Sequence, residues 1–337
     1  MKDTILYKIF TAALILVNLS FFTGCDKKNN KLKHQITLVM AEVNSEDSIC
    51  GQMDYVFKQK VEELSQNEII INIKYDGVLG NEQKVINFLM TKDSFIHLAR
   101  VGANLSDYGA DKSGLLSIPY TFSSREGFWN FADSPVAQLL LNESYDKGLG
   151  IKGLFYAEEG FRNFISTVPL YSPQSLKGKN MRVSGKSLTN LSAAFETKAV
   201  QVSFSRMAKA FSSGEIQIAE QPLTNYYSND LYISAPYVIL DKHLIGAVQT
   251  IISASCWDSL SQKEQDILME AGKYAQEYCR HLDKDMESMT LEKLKEKGVV
   301  VTQVKNPDQW KDKCSNLIKE ASSGHPELYK LILEYQK

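Results

Sequence analysis

The strongest constraint on this chain is one uninterrupted helical signal toward its C-terminal end. Ser261, Gln262, Lys263 and Glu264 spell a capping box, in which a serine hydroxyl and a glutamate carboxylate satisfy otherwise orphaned N–H groups. Apolar residues then recur at helical spacing (Ile267, Ala271, Tyr274, Tyr278, Leu282, Met286, Met289 and Leu294) until Gly298 stops them. At about 1.5 Å per residue this helix is longer than roughly 45 Å. One lobe of ordinary size does not need that span, so residues 261–298 are expected to brace two. The full length of 337 residues agrees, since domains of ~150 residues imply about two.

The rest of the pattern is α/β. Strands are expected at residues 36–41, 69–75 and 95–101, with helices near 53–64 and 82–90 between them. That βαβαβ order implies a largely parallel sheet. Residues 115–122 and a helix at 134–144 complete a first lobe. A second cycle follows: strand 180–183, helix 188–196, strand 201–203, helix 206–212 and strand 216–220. Two apolar segments, one over about 151–160 and one over 244–253, are expected to cross between the lobes. The division is therefore 35–155 plus about 245–260 for lobe I, 156–244 for lobe II, 261–298 for the long helix and 299–337 for a C-terminal segment. Two such lobes leave a cleft at the carboxyl ends of their strands, where small ligands bind.

The first residues read as a targeting segment. Lys2 and Lys8 accompany an apolar run at residues 9–22, about 14 residues long, too short for the ~20 that span a bilayer but suited to a signal peptide over 1–24. The run ends in Phe22, Thr23, Gly24 and Cys25, which resembles a bacterial lipobox with Phe22 where leucine is usual. Cys25 is thus expected to be lipidated, palmitate included, with residues 25–34 as a solvated tether. The protein would then sit in the periplasm, lipid-anchored to a bacterial membrane. A plain secretory signal with a coincidental cysteine is the alternative. Cleavage before Cys25 removes two lysines and one aspartate, which moves the net charge from −2 to −3. So balanced a charge provides no basic face for nucleic acid. Four cysteines remain, Cys50, Cys256, Cys279 and Cys314; they allow three disulfide pairings, and free buried thiols fit as well.

Catalytic motifs fail on context. Residues 148–153 spell G-x-G-x-x-G, but the stretch follows a helix and enters a strand, the reverse of a dinucleotide loop, so it reads as a helix C-cap. Gly185-Lys186-Ser187 lacks the first glycine of a phosphate loop, because Asn180 stands there. Glu158 and Glu159 are adjacent, and a strand would send them to opposite faces. The histidines are scattered, with no cysteine at ligand spacing. No catalytic residue, cofactor or metal ligand is assigned, and the chain is not expected to be an enzyme.

Seven segments, in order, carry a resemblance. They are residues 75–82 (YDGVLGNE), 98–101 (LARV), 117–122 (SIPYTF), 159–164 (EGFRNF), 175–183 (SLKGKNMRV), 219–229 (AEQPLTNYYSN) and 256–261 (CWDSLS). Together they make the chain similar to the extracytoplasmic substrate-binding proteins of TRAP transporters, the dicarboxylate-binding-type (DctP-like) family, over roughly residues 36–304. The resemblance implies an α/β, two-lobe periplasmic-binding-protein fold with an interlobe cleft and a long bracing helix. It also implies capture of a small organic anion and its delivery to integral-membrane transporter subunits. Some members of the family work beside a helical-repeat periplasmic lipoprotein, which adds a further candidate partner.

The resemblance places a carboxylate-holding arginine at Arg182. The chemistry agrees, because a guanidinium presents a planar fork that fits a carboxylate bidentately. An interlobe salt bridge is the structural alternative. Arg162 matches an arginine that lines or supports the cleft, and Arg100 is expected to meet the ligand or Glu220. Phe204 aligns with an aromatic that packs on the ligand, while Tyr237 and Trp129 would add an apolar wall. Gln221 stands where the family carries asparagine and reaches one methylene further; Gln217 and Ile218 stand where it carries an acidic residue and glycine. Ile218 is expected to add apolar bulk to the pocket, which favours a more apolar acid than a sugar acid or dicarboxylate. The competing readings are a binding protein for a hydrophobic or lipid-like ligand and a surface lipoprotein with a protein partner.

Overall fold

The computed structural model describes residues 35–336; the signal segment, Cys25 and the tether lie outside the described residues. Nine strands form one sheet: β1 Ile36–Ala41, β2 Ile69–Lys74, β3 Leu98–Gly102, β4 Ile151–Ser166, β5 Asn180–Val183, β6 Lys198–Gln201, β7 Ile218–Pro222, β8 Tyr237–Ser253 and β9 Val300–Gln303. Their order is β2-β1-β3-β8-β4-β7-β5-β6, with β9 beside β8. Parallel pairs lie at the two ends, β2 and β3 on β1, and β6 and β7 on β5. Antiparallel β8 and β4 join them through the middle.

These two central strands run to 17 and 16 residues, well past the apolar segments that announce them. The added residues include Arg162 and Asn163 on β4, and Asp241, Lys242 and His243 on β8. Charged residues break the apolar pattern, but here they bond to the strands themselves. The Asn163 side chain accepts from the Lys242 N–H at 3.1 Å, and Asp241 accepts from the Phe164 N–H at 3.0 Å. The register shifts between Glu158 and Phe161, where Gly160 adopts a φ of 96°, a region that glycine enters without a Cβ clash.

The bracing helix is Gln262–Glu296, 35 residues, and its capping box forms as expected. Gly298, at φ 82°, ends it in a Schellman turn: the Val299 N–H donates to Leu294 at 3.0 Å and the Gly298 N–H to Lys295 at 2.9 Å. Leu268, Ala271, Ala275 and Cys279 bury with Phe57 and Phe155 in one core, while Leu294 buries with Ile165, Met207 and Phe211 in another. One helix therefore serves the cores of both lobes. At Gly272 a Cβ would lie 2.6 Å from the Phe155 ring, so only glycine permits this approach to β4.

Elsewhere the structure moves boundaries. The strand expected at 201–203 is β6, Lys198–Gln201, and the helix expected at 188–196 is Lys186–Ala194. The C-terminal segment holds β9 and the helices Pro307–Lys313, Ser315–Ser322 and Pro326–Glu334, which return Ile332 to the core of Phe57 and Phe155 and place Trp310 in a further core with Phe164 and Phe195. The glycine-rich stretch at 148–153 is the C-cap it was read to be: Gly148 takes φ 68° and the Leu149 N–H donates to Ser144 at 2.9 Å. Cys50, Cys256, Cys279 and Cys314 are all free thiols. Among the described residues no helix is long and apolar enough to cross a membrane.

Candidate functional site

Successive strand residues point to opposite faces, and that alternation sorts the candidate residues. Met181 on β5 is paired with Ile218 on β7, and both bury in a core with Phe164 and Phe195. Arg182, one position further along β5, and Gln221, three further along β7, therefore face the other way, toward Val202 and Phe204. Ile218 thus fills the core and adds no bulk to the cleft. The Gln217 side chain is likewise occupied, accepting from the Asn180 N–H at 3.1 Å. With Ile218 in the core and Gln217 bonded to Asn180, neither residue makes the site more apolar.

Arg182 is only 5% exposed. Its Nε donates to the Val202 carbonyl at 2.9 Å, and its two terminal nitrogens donate to nothing among the described residues. No carboxylate among those residues lies within ion-pairing distance of it, which rules out the interlobe salt bridge. Burial lowers its pKa to about 10, against the attraction of Glu220 and with the repulsion of Arg162. Gln221, 2% exposed, also leaves its amide without a hydrogen bond among the described residues. Phe204 is half-buried against the core beneath. The helix Lys186–Ala194 starts just past Arg182 with no side-chain cap, so its first N–H groups favour an anion nearby. The Ser187 hydroxyl at this helix start accepts from the Asn104 amide at 2.8 Å, a link to the segment after β3.

Arg162 and Glu220 behave differently. Arg162 grips both oxygens of Glu220, one of them through Nη2 at 2.8 Å, and donates through Nη1 to Glu159 at 2.8 Å. Burial alone would raise the Glu220 pKa, but the charge and hydrogen bonds of Arg162, helped by His243, hold it at about 2. The carboxylates in turn raise Arg162, despite its burial. His243 is fully buried, 2.7 Å from Asp241 and 3.6 Å from Glu220, and stacks on Phe164. Burial would lower its pKa; Asp241 and Glu220 instead push it up to about 9.

Three of the expected site residues have other neighbours. Arg100 does not bond to Glu220: its guanidinium is bonded to both oxygens of Glu42, across β1 and β3, with Nε at 2.7 Å. Tyr237 lies in the row of Ser166, Ile218 and Met181, at the end of β7 away from Gln221. Trp129 is a core residue with the Arg280 guanidinium 4.8 Å over its ring. Conversely, sequence reasoning missed Glu82. One of its oxygens accepts from the Gly102 N–H at 3.1 Å, and the other is unbonded among the described residues. Burial raises its pKa, while its charge is felt by Arg100, Arg162 and Arg182. Its position directly after the cap Asn81 made it look like a helix-start residue only.

Two α/β lobes thus share one sheet and one spanning helix, with Arg182 and Gln221 left without a side-chain partner among the described residues. The family model described as bacterial extracellular solute-binding protein, family 7 (DctP), matches residues 40–324, and the chain belongs to this family. It is 26% identical to the C4-dicarboxylate-binding periplasmic protein DctP of Shewanella loihica, covering 68% of this chain and 67% of that one. It is 23% identical to the 2,3-diketo-L-gulonate-binding periplasmic protein YiaO of Escherichia coli (strain K12), over 78% and 80% of the two chains. The fold matches that of a TRAP periplasmic solute binding protein from Pseudomonas putida F1 with bound D-glucuronate at a TM-score of 0.84, with 21% identity and coverage of 88% and 96%.

Proposed function

We infer that this protein captures a small organic acid on Arg182, between its two lobes, and presents it to the membrane subunits of a TRAP transporter. The observation that carries this is the Arg182 fork: buried, charged, and left without an anion by its own chain. Such a cation is costly in the free protein, and a bound carboxylate offsets that cost with two charge-assisted hydrogen bonds. Gln221, Phe204 and the helix start at Lys186 are the adjoining contacts. Arg162 and Glu220 are the support behind them, and Asn104 with Ser187 links the two lobes when they close. The lobe division at about residues 155 and 245, through the β4–β8 pair, supports a hinge there. Ligand then shifts an open–closed equilibrium, because contacts from both lobes exist together only in the closed state. The unbonded polar groups count against a hydrophobic or lipid-like ligand.

The lipid anchor on Cys25 belongs to the same reading, as does the helical-repeat lipoprotein partner. Labelling with a radioactive fatty acid tests the anchor; label that persists in Cys25→Ser removes it. Native mass spectrometry of protein purified without refolding tests the ligand: an acid is expected to co-purify, and a neutral or lipid molecule would overturn the assignment.

A further inference from the structure

The C-terminal segment touches both lobes, on the opposite face of the central strands from the bracing helix. In lobe II, Phe164 of β4 packs on Trp310 with ring centroids 5.9 Å apart, while its neighbour Ile165 buries with Leu294 of the bracing helix. Toward the start of β4, Tyr156 packs on Phe131 at 5.9 Å and Phe131 on Tyr335 at 6.3 Å, while Phe155 meets Gly272 of the bracing helix. Successive strand residues point to opposite faces. The β4–β8 pair is therefore held between two segments that both reach from lobe to lobe: helix 262–296 on one face and residues 307–336 on the other.

Both ends of the C-terminal segment are docked. Trp310 and Cys314 are buried in the core of Phe164 and Phe195, and Lys313 Nζ lies 2.6 Å from Glu196. Tyr329 and Ile332 are buried in the core of Phe57 and Phe155. The Tyr329 hydroxyl lies 3.2 Å from Thr121 Oγ1, and the Gln336 side chain accepts from the Ser123 N–H at 3.0 Å. Between the docks, Ile318 packs against both cores. The turn at 322–325 differs, because its hydrogen bonds stay within the segment. The hydroxyls of Ser322 and Ser323 donate to the carbonyls of Ile318 and Glu320 at 2.8 and 2.7 Å, and the His325 N–H donates to Ser322 at 3.1 Å. Ser323 and Gly324 are exposed, and a Cβ at Gly324 would meet nothing within 4 Å. Rotation of one lobe on the other changes the separation of the docks, and this turn is where the segment can give.

We propose that residues 307–336 form a second strap across the hinge, and that its short turn at 322–325 favours the closed cleft and so raises ligand affinity from a distance. Both docks are complete in the same conformation in which the Asn104 amide is bonded to Ser187 across the cleft, so the span of the strap is that of the closed form. The inference rests on the hinge at β4–β8 proposed above. The test lengthens the turn and leaves both docks alone: Gly-Ser-Gly is inserted between Ser323 and Gly324, and, as a control, between Ser213 and Gly214 in an exposed turn of lobe II. Closure without ligand is read from Asn104→Cys combined with Ser187→Cys, since the effective concentration of that pair in a glutathione redox buffer follows the closed fraction. A slack strap multiplies the open arrangements, so the insertion at 323/324 is expected to lower this effective concentration by about threefold or more, and the control insertion to leave it unchanged. Affinity for the organic acid that binds best is expected to fall in parallel. An effective concentration unchanged by the 323/324 insertion, or lowered equally by both insertions, overturns the strap. Affinity held at the wild-type value while cross-linking falls overturns its link to ligand binding. If no organic acid binds the wild type, the ligand reading fails, and cross-linking still decides the strap.

Discussion

Arg162 and Arg182 stand near one another in the second lobe and are both withdrawn from solvent, yet the protein treats them in opposite ways. Arg162 is gripped by Glu220 and Glu159, and its pKa rises in spite of burial. Arg182 is given one carbonyl, and burial pulls its pKa down to about 10. The first arrangement is self-contained: its partners come from β4 and β7, so it welds the lobe whether or not a ligand is present. The second is incomplete by construction, and what completes it must come from outside. Burial of an arginine is therefore uninformative until its counter-ions have been found.

The contrast can be broken most directly by truncation. Arg162→Ala leaves Glu220 buried without its main partner and is expected to cost about 3–5 kcal/mol of stability in chemical denaturation. Arg182→Ala removes a cation that has no partner and is expected to leave stability unchanged or raise it. Equal losses in the two variants would erase the distinction.

The next largest effect is a pH dependence of the weld. His243 has a folded pKa of about 9 against an ordinary 6.5, so its stabilisation is complete below about 6.5 and disappears as pH rises through 9. The shift sets an upper bound of about 3 kcal/mol. Glu220 has the opposite sign: held at about 2 against an ordinary 4.5, it stabilises above 4.5 and the contribution is lost as pH falls through 2. Unfolding curves should therefore show greatest stability between these windows, and His243→Gln should flatten the alkaline limb. An alkaline limb identical to wild type would show that the imidazolium is not the source.

Smaller still is the interlobe link. Asn104→Ala removes one hydrogen bond worth about 1 kcal/mol and should weaken ligand binding by less than about tenfold, with a matching shift toward the open form in small-angle scattering. The smallest effect belongs to Tyr237→Ala, since changes at distant sites couple by no more than about 0.5 kcal/mol, or about twofold in affinity. A large loss there would return Tyr237 to the cleft.

Much of this architecture was legible in the residues. The capping box at Ser261 and the stop at Gly298 mark a helix whose length alone argues for two lobes. The glycine-rich stretch at 148–153 was rejected as a dinucleotide loop because of what precedes and follows it, and it is a helix cap. What was not legible depends on contacts far apart in sequence. Glu42 as the partner of Arg100, and the satisfaction of Asp241 and Asn163 within paired strands, have no local signature. Those charges made β4 and β8 look shorter than they are. The orientation of Ile218 was within reach, because alternation from a core Met181 fixes it once their register is known, but register is a property of the pair of strands.

The measurement that bears most directly on the central claim is a calorimetric titration of the organic acid that binds best, run side by side on wild type, Arg182→Ala and Arg182→Lys. Loss of the guanidinium is expected to cost about 2–5 kcal/mol of binding, with the melting temperature of the free protein unchanged or raised. Arg182→Lys should recover only part of that loss, since an ammonium keeps the charge without the planar fork. Affinity within twofold of wild type in Arg182→Ala would contradict the account and return Arg182 to a structural role.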